Sequence, residues 1–511
     1  MQTDSSYENV PYLSKFFIQT HPEWLAVIGT LFGMNLPSIE KCRVLELGCG
    51  NGSNLMAHAF SLPDSEFVGV DLAQTHIDEG NQFIADLGLT NIKLYQMDVM
   101  KMSVKDFGKF DYIIAHGLFS WVPDFVRERV LQIYDEMLAP NGIGYISYNT
   151  YPGSHLRQLA QKPMRFIAKN FSDPVEKVKK SVSFLQFLTQ ETNETEILQP
   201  VLQNGLDAIL KKQMPDIFHD DLAETNKSFY FYEFVEQLEK YNLQFLAETE
   251  VYKMSTESFS AQAKSFLDSL KDLIEREQYI DFFCSRFFRR SLVCKSEINL
   301  NHQPNLNILD KFSLVSAIRP AGKNPNFINR EVEKFVRYEE RGFEIDHPLT
   351  KMFLFLLGQK WAKAVQFTEL LEEAKQTLDK KGFKTDDWEK EIDITRQILL
   401  QLCLTTDFIY LHLYQPVAAT KIPLKPEINR LARWQLGLGN NVYTLFNQNF
   451  NATDPVLKKL LELMDGTRNN SDLIKSLKEF LKSKGETVVH KEVEDKLQIY
   501  LASLAKMGMF V

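Results

Sequence analysis

A chain of 511 residues is longer than a single hydrophobic core supports, so several domains are expected. With 44% hydrophobic and 24% charged residues it has the composition of a globular protein, and no apolar run is long enough to span a bilayer. A formal charge of -9 argues against broad nucleic-acid binding and suits a basic partner such as a lysine-rich protein. The start, Met1-Gln2-Thr3-Asp4-Ser5-Ser6, has neither the basic nor the apolar stretch of a leader, which gives the expectation of a cytoplasmic protein. Cys42, Cys49, Cys284, Cys294 and Cys403 are odd in number and irregularly spaced, as suits reduced thiols, not a disulfide framework or a zinc site.

Residues 1–40 precede the first strand and read as an N-terminal cap segment. Pro22–Phe32 has amphipathic helical spacing, with Thr20 or His21 as its cap and Pro22 at the first position, where a missing N–H costs nothing.

The chain is organised around Val44-Leu45-Glu46-Leu47-Gly48-Cys49-Gly50-Asn51-Gly52-Ser53-Asn54. An apolar β-rich run gives way to glycines at alternate positions and then to a helical pattern. Glycine serves where the backbone turns sharply or must approach a ligand closely. Between a strand and a helix such a turn offers backbone N–H groups to an anionic ligand group.

Further strands follow at Phe67–Asp71, Leu94–Asp98, Phe110–His116 and Gly144–Tyr148, alternating with helices that include Gln74–Leu87 and Asp124–Leu138. The second ends in Asp71, about 20 residues after the glycines, where a carboxylate can accept from ribose hydroxyls. The third ends in Asp98. The alternation predicts a doubly wound parallel sheet over 41–155 with its ligands at the carboxyl ends of the strands.

E-L-G-C-G-N-G, then V-D, M-D and D-Y-I-I-A-H-G, resembles a class I S-adenosylmethionine-dependent methyltransferase with an α/β Rossmann-like sheet. Its glycine spacing is E-x-G-x-G-x-G, not the dinucleotide form. Q-T-H-P, A-H-G-L-F-S-W-V-P, Y-N-T-Y-P-G, H-D-D-L and Q-Y-I-D-F-F-C-S-R-F-F-R extend the likeness over most of the chain. Together they resemble bacterial methyltransferases with a methyltransferase regulatory domain, among them the rickettsial outer-membrane-protein lysine methyltransferases. The resemblance implies S-adenosyl-L-methionine as cofactor and methyl transfer to lysines of a surface or outer-membrane protein before its export.

On that resemblance Glu46, Gly48, Cys49, Gly50, Asn51 and Gly52 hold the methionine part of the cofactor. Asp71, beside Leu72, takes the ribose, and Asp98 and Val99 take the adenine. Strand-end acids are also common helix caps, but their order here favours the cofactor. His116 either assists the acceptor or contacts the methionine carboxylate. Trp121, Tyr148 and Tyr151, with Phe119, form either a channel that attracts a lysine ammonium or ordinary core. Tyr12, Gln19 and His21 are candidates for closing the pocket, and a plain N-terminal cap is the alternative.

Residues 156–300 read as a mostly helical regulatory or dimerisation domain, with helices at Leu156–Asn170, Pro174–Gln190, Glu196–Lys211, Tyr232–Tyr241 and Ser258–Phe288, and a homodimer is expected. His219-Asp220-Asp221 could signal a metal or a base, but no second histidine stands at ligand spacing, so a capping turn is favoured and no metal is expected. In 301–420 and 421–511, three helices followed by a short strand occur twice, at 347–412 and 454–511, which suggests two winged-helix-like units. Acids slightly outnumber bases in 346–416, so a protein-binding or structural role is expected in place of DNA binding. A small-molecule methyltransferase and a non-catalytic S-adenosylmethionine sensor stand as alternative functions.

Overall fold

A computed structural model describes residues 10, 16–192, 198–337, 341–361, 363–414, 422–444, 449–485, 489–507 and 509–510. Tyr12, a candidate from the sequence, lies outside the described residues. The chain divides into two compact units, Met1–Leu300 and Asn301–Val511.

The first unit is built on an eight-stranded sheet. Its strands are β1 (Arg43–Leu47), β2 (Glu66–Asp71), β3 (Ile92–Gln96), β4 (Phe110–Ala115), β5 (Leu138–Thr150), β6 (Ser228–Phe229), β7 (Leu243–Glu248) and β8 (Phe288–Lys295). They run in the order β3-β2-β1-β4-β5-β8-β7, with β6 pairing the end of β5. β1 is parallel to both neighbours, so Val44 lies opposite Phe67 on one side and Tyr112 on the other. Val44, Leu45, Leu47, Phe67, Val70, Ile113 and Ile114 are buried, as continuous apolar strands covered on both faces must be.

The strand alternation expected from the sequence therefore holds, and the sheet extends beyond it. Residues 156–300 supply β6, β7 and β8, with β8 antiparallel between β5 and β7. Helices Gly153–Ala168, Pro174–Glu191 and Leu198–Leu210 close over Met164, Val178, Leu185, Leu202 and Leu206, and helix Phe231–Glu239 follows β6. The single helix expected over Ser258–Phe288 is two, Ala261–Ser269 and Leu273–Cys284, because Asp272 accepts from the Glu275 amide and starts a new helix. Phe288 belongs to β8.

Ahead of the sheet, helix Pro22–Leu31 is capped by His21, whose Nδ1 accepts the Glu23 amide at 3.2 Å, with Pro22 at the first position.

The second unit holds helices Pro348–Gln359, Phe367–Lys380 and Trp388–Thr405 beside an antiparallel sheet of Ser313–Val315, Val365–Gln366 and Tyr410–His412. Helices Pro455–Leu463, Asn470–Ser483 and His490–Lys506 then pack on a core of Leu460, Leu473, Leu477, Leu497, Leu501 and Phe510. Helix Arg430–Leu438 and the hairpin Asn441–Tyr443 with Asn449–Asn451 precede them. The last strand expected from the sequence is a single bridge, Ile428 with Phe510.

Candidate active site

The turn after β1 takes a left-handed path at Gly48, Gly50 and Gly52, with φ of 70°, 56° and 73°. A side chain at Gly50 would be strained, and the space where its Cβ would stand is open. Across the turn, a Cβ on Gly80 would sit 2.4 Å from the Asn51 carbonyl, so helix Gln74–Leu87 approaches the loop as only glycine allows. The Asn51 side chain donates to Glu79 and accepts from Ser53, and Cys49 is buried.

Asp71, at the tip of β2, braces this turn. Its Oδ2 accepts the Gly50 amide at 2.8 Å and its Oδ1 accepts the Ala73 amide at 2.9 Å. Both oxygens retain capacity for a further donor. Leu72, next to it, is 48% exposed. Asp98 and Val99 are half-buried beyond β3, and Asp98 accepts the Met100 amide at 3.0 Å. The cap reading and an accessible carboxylate thus coexist at Asp98.

Glu46 is 3% exposed. Its Oε1 accepts from Asn54 Nδ2 at 2.9 Å, while its Oε2 has no hydrogen-bond partner among the described residues. Burial pushes its pKa up to about 8 against the opposing effect of the Asn54 bond. A buried acid with an idle oxygen beside an open glycine turn fits a ligand that carries positive charge, as the amino acid end of S-adenosylmethionine does. The set Glu46, Gly48–Gly52, Asp71, Leu72, Asp98 and Val99 could thus hold the methionine, ribose and adenine parts in turn.

The N-terminal segment is tied to this acid, a connection the sequence motif alone did not indicate. Asn54 Nδ2 also reaches Thr20 Oγ1 at 3.0 Å, and its Oδ1 accepts the Phe17 amide at 3.0 Å. Thr20 is fully buried and meets His58 Nε2 at 2.9 Å, and burial lowers the His58 pKa to about 3. His21 Nε2 bonds Ser61 at 2.8 Å. His21 is therefore an anchor on helix Ser53–Ser61, and Gln19 stays half-buried.

His116 is half-buried beyond the end of β4. Its Nδ1 is 2.7 Å from Tyr145 Oη, and its ring lies 3.7 Å from that of Phe17. Leu118, two residues on, reaches within 3.2 Å of where a Gly48 Cβ would be, which brings the loop after β4 to the glycine turn. Arg127 holds this loop through the Phe119 and Val122 carbonyls, and Asn149 N donates to Ser120 Oγ.

The four aromatic residues after β4 and in or just beyond β5 separate into two groups. Tyr148 and Phe119 are completely buried, Tyr148 stacked on Phe234 at 4.1 Å and bonded to Ser291. They belong to the core, so the expectation of a channel wall is corrected there. β5 pairs with β8 in the same sheet, and helix Phe231–Glu239 covers Tyr148 through Phe234; neither β8 nor this packing was read from the sequence. Trp121 is half-buried, and its Nε1 has no partner among the described residues. Tyr151 is half-buried and stacks on His155 at 4.1 Å. His219 bonds the Val10 carbonyl at 2.6 Å, and Asp221 is a buried hub for Gln161, Arg157 and Lys212. Among the described residues no group of three His, Cys, Asp or Glu could hold a metal ion.

A sheet of this order, with a glycine turn after β1 and carboxylates at the ends of β2 and β3, defines a class I S-adenosylmethionine-dependent methyltransferase. Residues 39–214 match the methyltransferase domain family, 190–295 a predicted methyltransferase regulatory domain, and 425–506 the C-terminal winged helix domain of PKMT. The uncharacterized protein RP789 of Rickettsia prowazekii is 32% identical over 379 residues, 73% of this chain and 68% of that protein. Another protein of that organism, RP028, is 35% identical over 236 residues, 46% of this chain and 94% of its own length. The structure of PKMT2 from Rickettsia typhi, solved also with S-adenosylhomocysteine, superposes with a TM-score of 0.85 at 27% identity, covering 98% of this chain and 100% of that one. This chain belongs to that family of methyltransferases, in which the methyltransferase fold is joined to a regulatory domain and a winged helix domain, and its cofactor is S-adenosyl-L-methionine.

Proposed function

We propose that this protein transfers the methyl group of S-adenosyl-L-methionine to lysine side chains of a protein acceptor, a bacterial surface or outer-membrane protein. The observation that carries the reading is the match to Rickettsia typhi PKMT2 over 98% of the chain, which includes the winged-helix segment beyond the methyltransferase fold. A small-molecule enzyme needs no such added surface. No described helix is long and apolar enough to cross a membrane.

The bound cofactor supplies an electrophilic methyl group on a sulfonium. What the chain contributes is position: displacement is in line, so the amine must arrive neutral and aligned. Glu46 would meet the positively charged amino-acid end of the cofactor, and Asp71 fixes the turn that would receive it. His116, Trp121 and Tyr151 lie beyond the ends of β4 and β5, where the acceptor would enter. The second unit serves acceptor binding, not nucleic acid. Exposed Phe166 and Phe187 on the helices after β5 suit self-association as a homodimer.

Incubating the pure protein with methyl-labelled cofactor and a bacterial lysate, then locating the label by peptide mass spectrometry, tests the reading. Label on lysine side chains supports it. Label on a small metabolite, or on glutamate or arginine, overturns it.

A further inference from the structure

His116, beyond the end of β4, and Tyr145, within β5, form one hydrogen-bonded pair: Tyr145 Oη stands 2.7 Å from His116 Nδ1. Next to it, Gly117 N donates to Ser147 Oγ at 2.9 Å, which ties the loop after β4 to β5. Tyr145 has no exposed surface, so its hydroxyl hydrogen must find an acceptor inside the protein.

Two directions are conceivable. If His116 Nδ1 carries the hydrogen, Tyr145 accepts it, and the phenol's own hydrogen is stranded, since among the described residues its oxygen hydrogen-bonds only Nδ1. If Tyr145 donates to Nδ1, the phenol hydrogen is placed. An unmade bond at a buried hydroxyl is the more costly outcome, so the second direction wins. Burial agrees with it: it pushes the Tyr145 pKa up, with Arg290 opposing and Glu248 and Glu250 assisting, so the phenol keeps a hydrogen to give.

We infer that Tyr145 fixes the tautomer of His116, so that its Nε2 carries the hydrogen and the neutral imidazole has no free lone pair with which to act as a general base. Tyr145 is a positioning residue for this histidine. The acceptor amine then loses its proton elsewhere, to solvent or during burial. This goes beyond the lysine reading and does not depend on it, because the tautomer is a property of the free enzyme.

The test is a long-range 1H–15N correlation spectrum of the full-length protein labelled at histidine, with the His116 signals identified by their loss in His116→Asn. The expected pattern is a protonated Nε2 and an unprotonated, hydrogen-bonded Nδ1. In Tyr145→Phe the Nδ1 signal should move toward that of an unbonded imidazole nitrogen. Methyl transfer into lysate protein should fall about tenfold, the worth of one hydrogen bond, while cofactor affinity stays within about twofold. If Tyr145→Phe does not fold, the spectrum of the unaltered protein decides the tautomer by itself. A hydrogen on Nδ1 in the unaltered protein, or an Nδ1 signal that folded Tyr145→Phe does not displace, overturns the inference. If no lysate protein takes the label, the lysine reading fails while the spectrum still decides the tautomer.

Discussion

Asp71 Oδ2 accepts the Gly50 amide at 2.8 Å, and this bond joins the tip of β2 to the turn that receives the cofactor. The acid shapes the glycine turn before it meets a ribose. Asp71→Ala should therefore weaken S-adenosylmethionine binding by at least about 1–3 kcal/mol, since it strands two backbone N–H groups and removes the hydroxyl acceptor. Calorimetry on the folded variant checks this, and unchanged affinity would refute it.

Glu46 carries a pH dependence whose sign can be worked out. In the folded chain its carboxyl holds a proton up to about pH 8, against an unfolded value of 4.5. Between those values the folded state binds more protons than the unfolded one, so stability falls as pH rises through the window and levels off above it. Glu46→Gln should flatten that slope in denaturant titrations of the cofactor-free protein. Cofactor binding near neutral pH should release protons from the unaltered enzyme, seen as a calorimetric heat that varies with buffer. A variant with the same slope as the parent would dismiss Glu46 as its source.

Arg289 is buried among Glu248, Glu277 and Asp281, with bonds of 2.8 Å to Glu248 and Asp281 and 3.2 Å to Glu277. Burial raises the carboxyl pKa of Glu277 and Asp281 against the pull of Arg289. Glu248 is buried too, but Arg289, Arg286 and the Ser291 bond hold it below the usual range. The cluster ties helix Leu273–Cys284 to β7 and β8. Arg289→Met should cost about 3–5 kcal/mol by leaving carboxylates unpaired, and Arg289→Lys should not restore it, because one ammonium cannot reproduce the forked contacts. Thermal unfolding measures both, and a lysine variant as stable as the parent would refute the geometric argument.

The sheet from β1 to β5 was legible because each strand is a buried apolar run and each turn carries glycine or an acid. β7 and β8 were not, because their inward side chains include Glu248, Arg289 and Ser291, and that polar content masks the strand pattern. Q-Y-I-D-F-F-C-S-R-F-F-R was recognised as a family signature without its physics, which is the Asp281–Arg289 pairing. At the site, Glu46 and Asp71 could be picked out by position after a strand. The bonds of Thr20 to Asn54 and of Tyr145 to His116 join residues 34 and 29 positions apart, which spacing alone does not reveal.

The acceptor itself has a kinetic signature. A lysine amine with a reference pKa near 10.4 is mostly charged at neutral pH, and only its neutral form can attack the methyl group. With His116 presenting a hydrogen and not a lone pair, the rate should follow the neutral fraction of the amine. It should climb over roughly pH 7–9 without the plateau that a base titrating near 6.5 would impose. His116→Asn keeps a side-chain donor but loses the ring, so turnover should fall more than cofactor affinity. Single-turnover methylation of a lysine-bearing protein against pH, with cofactor affinity measured separately, checks both. Equal losses of binding and turnover would place the histidine in the cofactor site. A rate already level by about pH 7 would show that a group other than the amine controls the step.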